Sequence, residues 1–145
     1  MAFQFPLAAV LRFRESIEKQ EELALRKIFV EISQAQHRID ELTAEIVRAR
    51  QSLEQAMQQV LPAVHIVSMT SQIDGATHRK RELLDSQAEL ERRREMQNRK
   101  YQAAHNSRKT LSDMQARQQD AYMQERARAE QKAVDDIFAS RAQRG

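Results

Sequence analysis

From Leu25 onwards, apolar or small residues recur at Ile28, Ile32, Ala35, Ile39, Leu42, Ile46, Ala49, Leu53, Ala56 and Val60. The steps alternate strictly between three and four residues for about five heptads, the repeat of a helix that buries one narrow seam against a neighbouring helix. Upstream, the seam continues through Ala24, Ile17, Phe13 and Val10 only if one extra four-residue step is inserted around Glu21, a stutter that would locally unwind the supercoil. Pro6 suits a first helical turn, where its missing N–H costs nothing. Helix one is therefore predicted over about residues 6–60.

Pro62 cannot lie inside a helix without losing a hydrogen bond and clashing with the preceding turn. Ser68, Thr70 and Ser71 can each cap a new helix, and Asp74 follows Ser71 by three residues. A turn over about 61–67 and a second helix over about 68–140 follow. The second helix keeps the repeat through Met69, Ile73, Ala76, Lys80, Leu83, Gln87, Leu90, Arg94, Gln97, Tyr101, Ala104, Arg108 and Leu111, but its seam is half polar. In a parallel homodimer each of those cations would face its own copy. In an antiparallel hairpin they lie beside the almost wholly apolar seam of helix one, their stems covering apolar surface and their heads reaching water.

The expected fold is all-α, a two-helix antiparallel coiled-coil hairpin forming one elongated domain over residues 1–145, with a longer second helix overhanging the N-terminus. With equal rise on both helices, facing residue numbers should sum to about 127. Leu90 then meets the layer from Ala35 to Ile39. Tyr122 meets the N-terminus, where Phe3, Phe5 and Phe13 close the open end with Met114, Tyr122 and Met123. Beyond about residue 123 the second helix has no partner, and there Val134, Ile137 and Phe138 fall on one face. Arg126, Arg128, Lys132 and Arg141 surround them. An apolar stripe without an internal partner is a candidate interface.

Composition agrees with long helices and argues against a thick core: 31% of residues are charged, 5% aromatic, and there are only two glycines and two prolines. Cysteine is absent, which excludes disulfides and thiolate metal sites. Residues 1–62 carry 8 Lys/Arg against 9 Asp/Glu, and residues 63–145 carry 16 against 12, a mild complementarity that favours pairing of the two halves. No basic residues precede the apolar opening "MAFQFPLAAVLRFR" and Pro6 interrupts it, so it does not read as a signal peptide. No apolar run approaches the roughly 18 residues of a spanning helix. A cytoplasmic protein, peripheral to the membrane at most, is expected.

No motif for chemistry stands out. His37, His65, His78 and His105 are scattered, with no pair four residues apart to place two imidazoles on one helical face. Neither Gly75 nor Gly145 belongs to a phosphate-cradling loop, so any link to ATP must come through a partner. The carboxylates alternate with cations on exposed faces. No enzyme, cofactor or metal site is predicted. In the basic run Arg92 to Lys100, Glu95 falls within the run and Glu89 and Glu91 flank it, which describes a solvated helix face better than a nucleic-acid patch. The segment with Phe3, Phe5, Leu7, Leu11, Arg12 and Arg14 could lie on a membrane, but closing the hairpin end leaves fewer seam residues exposed.

The opening "FQFPLAAVLRFRESIEKQE", the two long coiled-coil helices and the closing "EQKAVDDIFASRA" together resemble the flagellar export protein FliJ family. Gln131, Lys132, Asp135, Asp136, Phe138, Arg141 and Ala142 carry the most specific part of the likeness. The resemblance implies a component of the flagellar type III export apparatus, shaped like the central stalk of rotary ATPases. Its implied partners are the hexameric export ATPase and its regulator, the large membrane protein of the export gate, and export chaperones. For the gate contact it suggests the early part of helix two, here Ile73, Ala76, Lys80 and Leu83, which are also seam positions. The alternatives are a generic coiled-coil tether and a nucleic-acid-binding rod. A hairpin should sediment as an elongated monomer when isolated, and a parallel rod as a dimer.

Overall fold

Two helices, α1 (Ala8–Met57) and α2 (Ala63–Arg144), make up almost the whole of the computed structural model, which describes residues 2–144. They pack against each other in an antiparallel hairpin, and no strand occurs among the described residues. The expected all-α hairpin fold is observed. At the start of α1 the Ala8 N–H donates to the Phe5 carbonyl at 3.1 Å, so Pro6 lies in the turn just ahead of the helix. At its end the Gln58 and Gln59 N–H groups donate to the carbonyls three residues back, at 3.3 and 3.1 Å. That tightening uses carbonyls the α ladder would leave unpaired.

The second helix starts about five residues earlier than the sequence suggests. Pro62 opens α2: its carbonyl accepts from the His65 N–H at 3.0 Å, and proline's preset φ suits a helix entrance. Ser68, Thr70 and Ser71 lie inside the helix and cap nothing. The Thr70 hydroxyl donates back to the Ile66 carbonyl at 2.9 Å, as Thr43, Thr77 and Thr110 do to the carbonyls four residues before them. A threonine can bond its own helix as readily as start one.

Contacts divide the chain into two compact units, each holding part of both helices: Glu22–Lys100, and the chain up to Glu21 together with Tyr101 onwards. In the first, every seam position of α1 from Leu25 to Ala56 is buried or half-buried, and Leu42 is sealed completely. Leu42, Ile46 and Ala76 form its centre, with Leu83 packed against them. The chemistry of the register differs from expectation. Gln87 Nε2 donates to Gln36 Oε1 at 2.7 Å and the Arg94 guanidinium lies 5.8 Å from the Phe29 ring centre. Gln87 thus takes the place assigned to Leu90 opposite Gln36. Around Gln36 and Phe29 the facing residues of α2 lie about four positions earlier than expected, as a shorter turn requires, whereas Glu18 faces Arg108 within about one position of the expected register.

In the second unit Phe3 meets Tyr122, ring centres 5.6 Å apart, and Phe5, Leu11 and Ala104 are buried. Of the residues expected on the upstream seam, Ala24 and Ile17 are half-buried, but Phe13 and Val10 are not. Leu11 is 6% exposed, whereas Phe13 is 61% exposed and Val10 is also on the outside. The three-four spacing back from Leu25 runs through the half-buried Glu21 and Glu18 and the exposed Arg14 to the buried Leu11, with charged side chains where apolar ones were sought. Met123, assigned to closing the open end, is exposed too, and Tyr122 is the last half-buried residue of α2.

Candidate interaction surface

The segment of α2 after Tyr122 runs for about 33 Å at helical rise. Starting a helix is the costly step, and here the segment extends one already packed. Local pairs support it: Arg126 Nε lies 3.4 Å from Glu130, and Gln131 Nε2 donates to Asp135 at 3.0 Å. Arg141 and Arg144 in the last turn complement the negative end of the helix dipole.

Val134, Ile137 and Phe138 are 44, 52 and 64% exposed on this segment. One heptad before Val134 lies Ala127, with Met123 four residues further back, both exposed on the same side of the helix, and the polar Glu130 and Gln131 separate them from the stripe. The stripe's positive neighbours Arg126, Arg128, Lys132 and Arg141 are all exposed. Asp136, Ile137, Ser140, Arg141 and Arg144 line a shallow hollow on the same segment. Such a face can receive an apolar partner while its cations meet carboxylates at the rim.

The residues singled out in early α2 are placed differently. Ile73 and Ala76 are buried in the hairpin core of Glu22–Lys100, and Lys80 is half-buried at the seam. They belong to the unit Glu22–Lys100, and the overhang stripe to the other. Along the basic run, Arg92 and Arg93 approach Glu89 at 3.6 and 4.0 Å, Arg94 pairs with Glu91 at 2.9 Å, and Arg99 with Glu95 at 2.9 Å. Each pair keeps the local charge of the run low.

A charged layer crosses the seam in the unit that carries both ends of the chain. Arg108 Nε donates to Glu18 Oε2 at 2.7 Å, its Nη1 lies 3.4 Å from the Ser112 hydroxyl, and its Nη2 lies 3.3 Å from His105 Nδ1. His105 Nδ1 is itself 3.7 Å from Glu18 Oε2. The hydrogen bond from Arg108 holds the Glu18 carboxyl below its ordinary range against the opposing effect of desolvation, and the same bond raises the Arg108 guanidinium. Arg108 stood out in the sequence as a seam cation. Glu18 did not, although stepping the heptad back from Leu25 without interruption reaches it.

Among the described residues no three His, Asp or Glu side chains cluster as a metal site would require. The hollows along the helices are open clefts, such as that lined by Phe29, Glu91, Arg94 and Asn98. Among the described residues no helix is long and apolar enough to cross a membrane. Fold and surface together define a helical-hairpin coiled-coil protein with an unpaired helical end. Residues 3–145 match the flagellar FliJ protein family, and the chain belongs to that family, a component of flagellar protein export. No curated protein and no solved structure matches the chain.

Proposed function

We propose that this chain is a non-enzymatic stalk of the flagellar export apparatus, which engages the hexameric export ATPase through its overhanging helix and the membrane export gate through the rest of the hairpin. In this reading it works with the ATPase's regulator and assists delivery of export chaperones and their cargo, and it acts at the cytoplasmic face of the inner membrane without spanning it. The observation that carries the reading is the exposed stripe Val134, Ile137 and Phe138 on a helix past the last paired residue, ringed by Arg126, Arg128, Lys132 and Arg141. A single helix with an apolar stripe and cationic flanks fits a narrow ring lumen. Ile73 and Ala76 support the gate contact less directly, because the hairpin core already uses their side chains; Lys80 keeps a partly free head for it.

Truncation after Glu125 tests the division of labour. The segment removed makes no seam contact, so the circular-dichroism melt should stay in place while stimulation of the export ATPase disappears. Parallel loss of both, or full stimulation by the truncated chain, would reject the assignment of the overhang. The isolated chain should sediment as a monomer, since each seam is already filled by the other arm of the same hairpin.

A further inference from the structure

The turn of the hairpin carries a second surface of different chemistry. In a chain that is 31% charged, residues 55–73 contain no Asp, Glu, Lys or Arg. Met57 at the end of α1, Val60 and Leu61 in the turn, and Val64 and Val67 in the first turns of α2 are all exposed, Val60 completely. Val60, the last residue of the expected α1 seam, lies past the end of α1 at Met57 and is not buried, and none of these side chains joins a buried seam. Coming from the end of one helix, the turn and the start of the other, they cap a convex tip, whereas a grooved protein partner would be matched by one continuous stripe along a helix.

We infer that this tip inserts into the interfacial layer of a lipid bilayer, end-on and without need of anionic headgroups. Three features fit a lipid surface. At helical rise the uncharged zone reaches back about 5 Å from Met57 to Glu54 on α1 and about 17 Å from Ala63 to Asp74 on α2, beyond the uncharged turn itself. The shorter of these matches the depth of about 5–10 Å to which amphipathic segments bury in the headgroup and acyl boundary. The non-helical residues 58–62 leave backbone groups outside the helical ladders, which the wet interface tolerates and the hydrocarbon core does not. Behind the tip, Arg48, Arg50, Arg79, Lys80 and Arg81 are interspersed with Glu45, Glu54, Asp74 and Glu82, so electrostatic attraction is secondary and apolar burial drives the contact. The inference stands apart from the ATPase reading, since it concerns the other end of the helices and needs no further flagellar component.

Flotation of the full chain with phosphatidylcholine vesicles tests it. The chain should float with the vesicles, equally at low and high salt. The double variant Val60→Asp/Val64→Asp should lose about tenfold or more of the bound fraction, as expected for carboxylates placed in the interface. Both residues are exposed, so its circular-dichroism spectrum should match that of the parent chain. Because the chain has no tryptophan, Val64→Trp provides a single reporter whose emission should shift to the blue when vesicles are added. Failure of the parent chain to float, equal binding by the double variant, or release by salt would each overturn the inference. Loss of swimming in cells carrying the double variant, with a parent chain that ignores vesicles, would assign the tip to a protein partner and overturn it as well.

Discussion

Replacing Glu18 by alanine leaves the Arg108 guanidinium in the seam without the carboxylate that accepts from its Nε at 2.7 Å. The two side chains are 19 and 25% exposed, which places the pair between the two regimes in which ion pairs have been measured. Fully exposed pairs contribute about 0–1 kcal/mol. Breaking a buried pair by removing one partner costs about 3–5 kcal/mol, because the remaining charge is left uncompensated. Partial solvation discounts the second figure, so Glu18→Ala should destabilise by about 1–2 kcal/mol. Replacing both residues, as Glu18→Leu with Arg108→Leu, removes the desolvation cost along with the attraction and extends the apolar seam. That double variant should be as stable as the parent chain or more so. Urea melts followed by circular dichroism measure each corner of the cycle. Glu95→Ala serves as the control, because its pair with Arg99 is 68 and 77% exposed and belongs to the weak regime. If Glu18→Ala costs no more than Glu95→Ala, the seam location of the pair has no energetic consequence and the reasoning fails. A double-leucine variant that keeps its stability but self-associates would show that the charged layer sets register and partner choice, the best-attested role of such groups.

The same carboxylate predicts an acid limb in stability. Its folded pKa lies below the unfolded value, so its contribution is full above the ordinary glutamate range and is lost as pH falls through the depressed value. Melts across a pH series should therefore show a steeper acid decline for the parent chain than for Glu18→Gln. Leu42→Ala empties a side chain that is completely buried and should cost about 2–4 kcal/mol, whereas Val60→Ala should change the melt by less than about 0.5 kcal/mol. Gly75→Ala should stabilise by about 0.5–1 kcal/mol, because a Cβ there would meet only the Arg79 guanidinium at an ordinary 3.7 Å and Gly75 lies inside α2. A destabilised Gly75→Ala variant would mean that close packing of the backbone, and not helix propensity, governs that position.

Much of the hairpin is legible from spacing alone. The α1 seam between Leu25 and Ala56 is buried as its alternation of three and four requires, and the half-polar α2 seam from Met69 to Leu111 is buried or half-buried at every position but Arg94. The unpaired end is legible too, since the longer arm must outrun the shorter. The misreading of the seam ahead of Leu25 has one physical source. A rule that seeks apolar side chains turned Phe13 and Val10 inward, where the fold places Leu11 and Glu18, because a carboxylate can occupy a seam once an arginine on the other arm bonds it.

The amino-acid order by itself determined that the chain is two long helices, where each hides its stripe, and that the second ends alone, because heptad periodicity and helix propensity are local properties. Only the tertiary structure decided which layers meet and which charges are admitted between them. Ser68, Thr70, Ser71 and Pro62 could each open α2 on local chemistry, and with Pro62 chosen the pairs around Gln36 and Phe29 shift by about one helical turn, while Glu18 still faces Arg108 within about one position of the expected register. That choice is settled by contacts far apart in the chain, such as Gln36 with Gln87 and Glu18 with Arg108, whose combined free energy no short stretch of sequence contains.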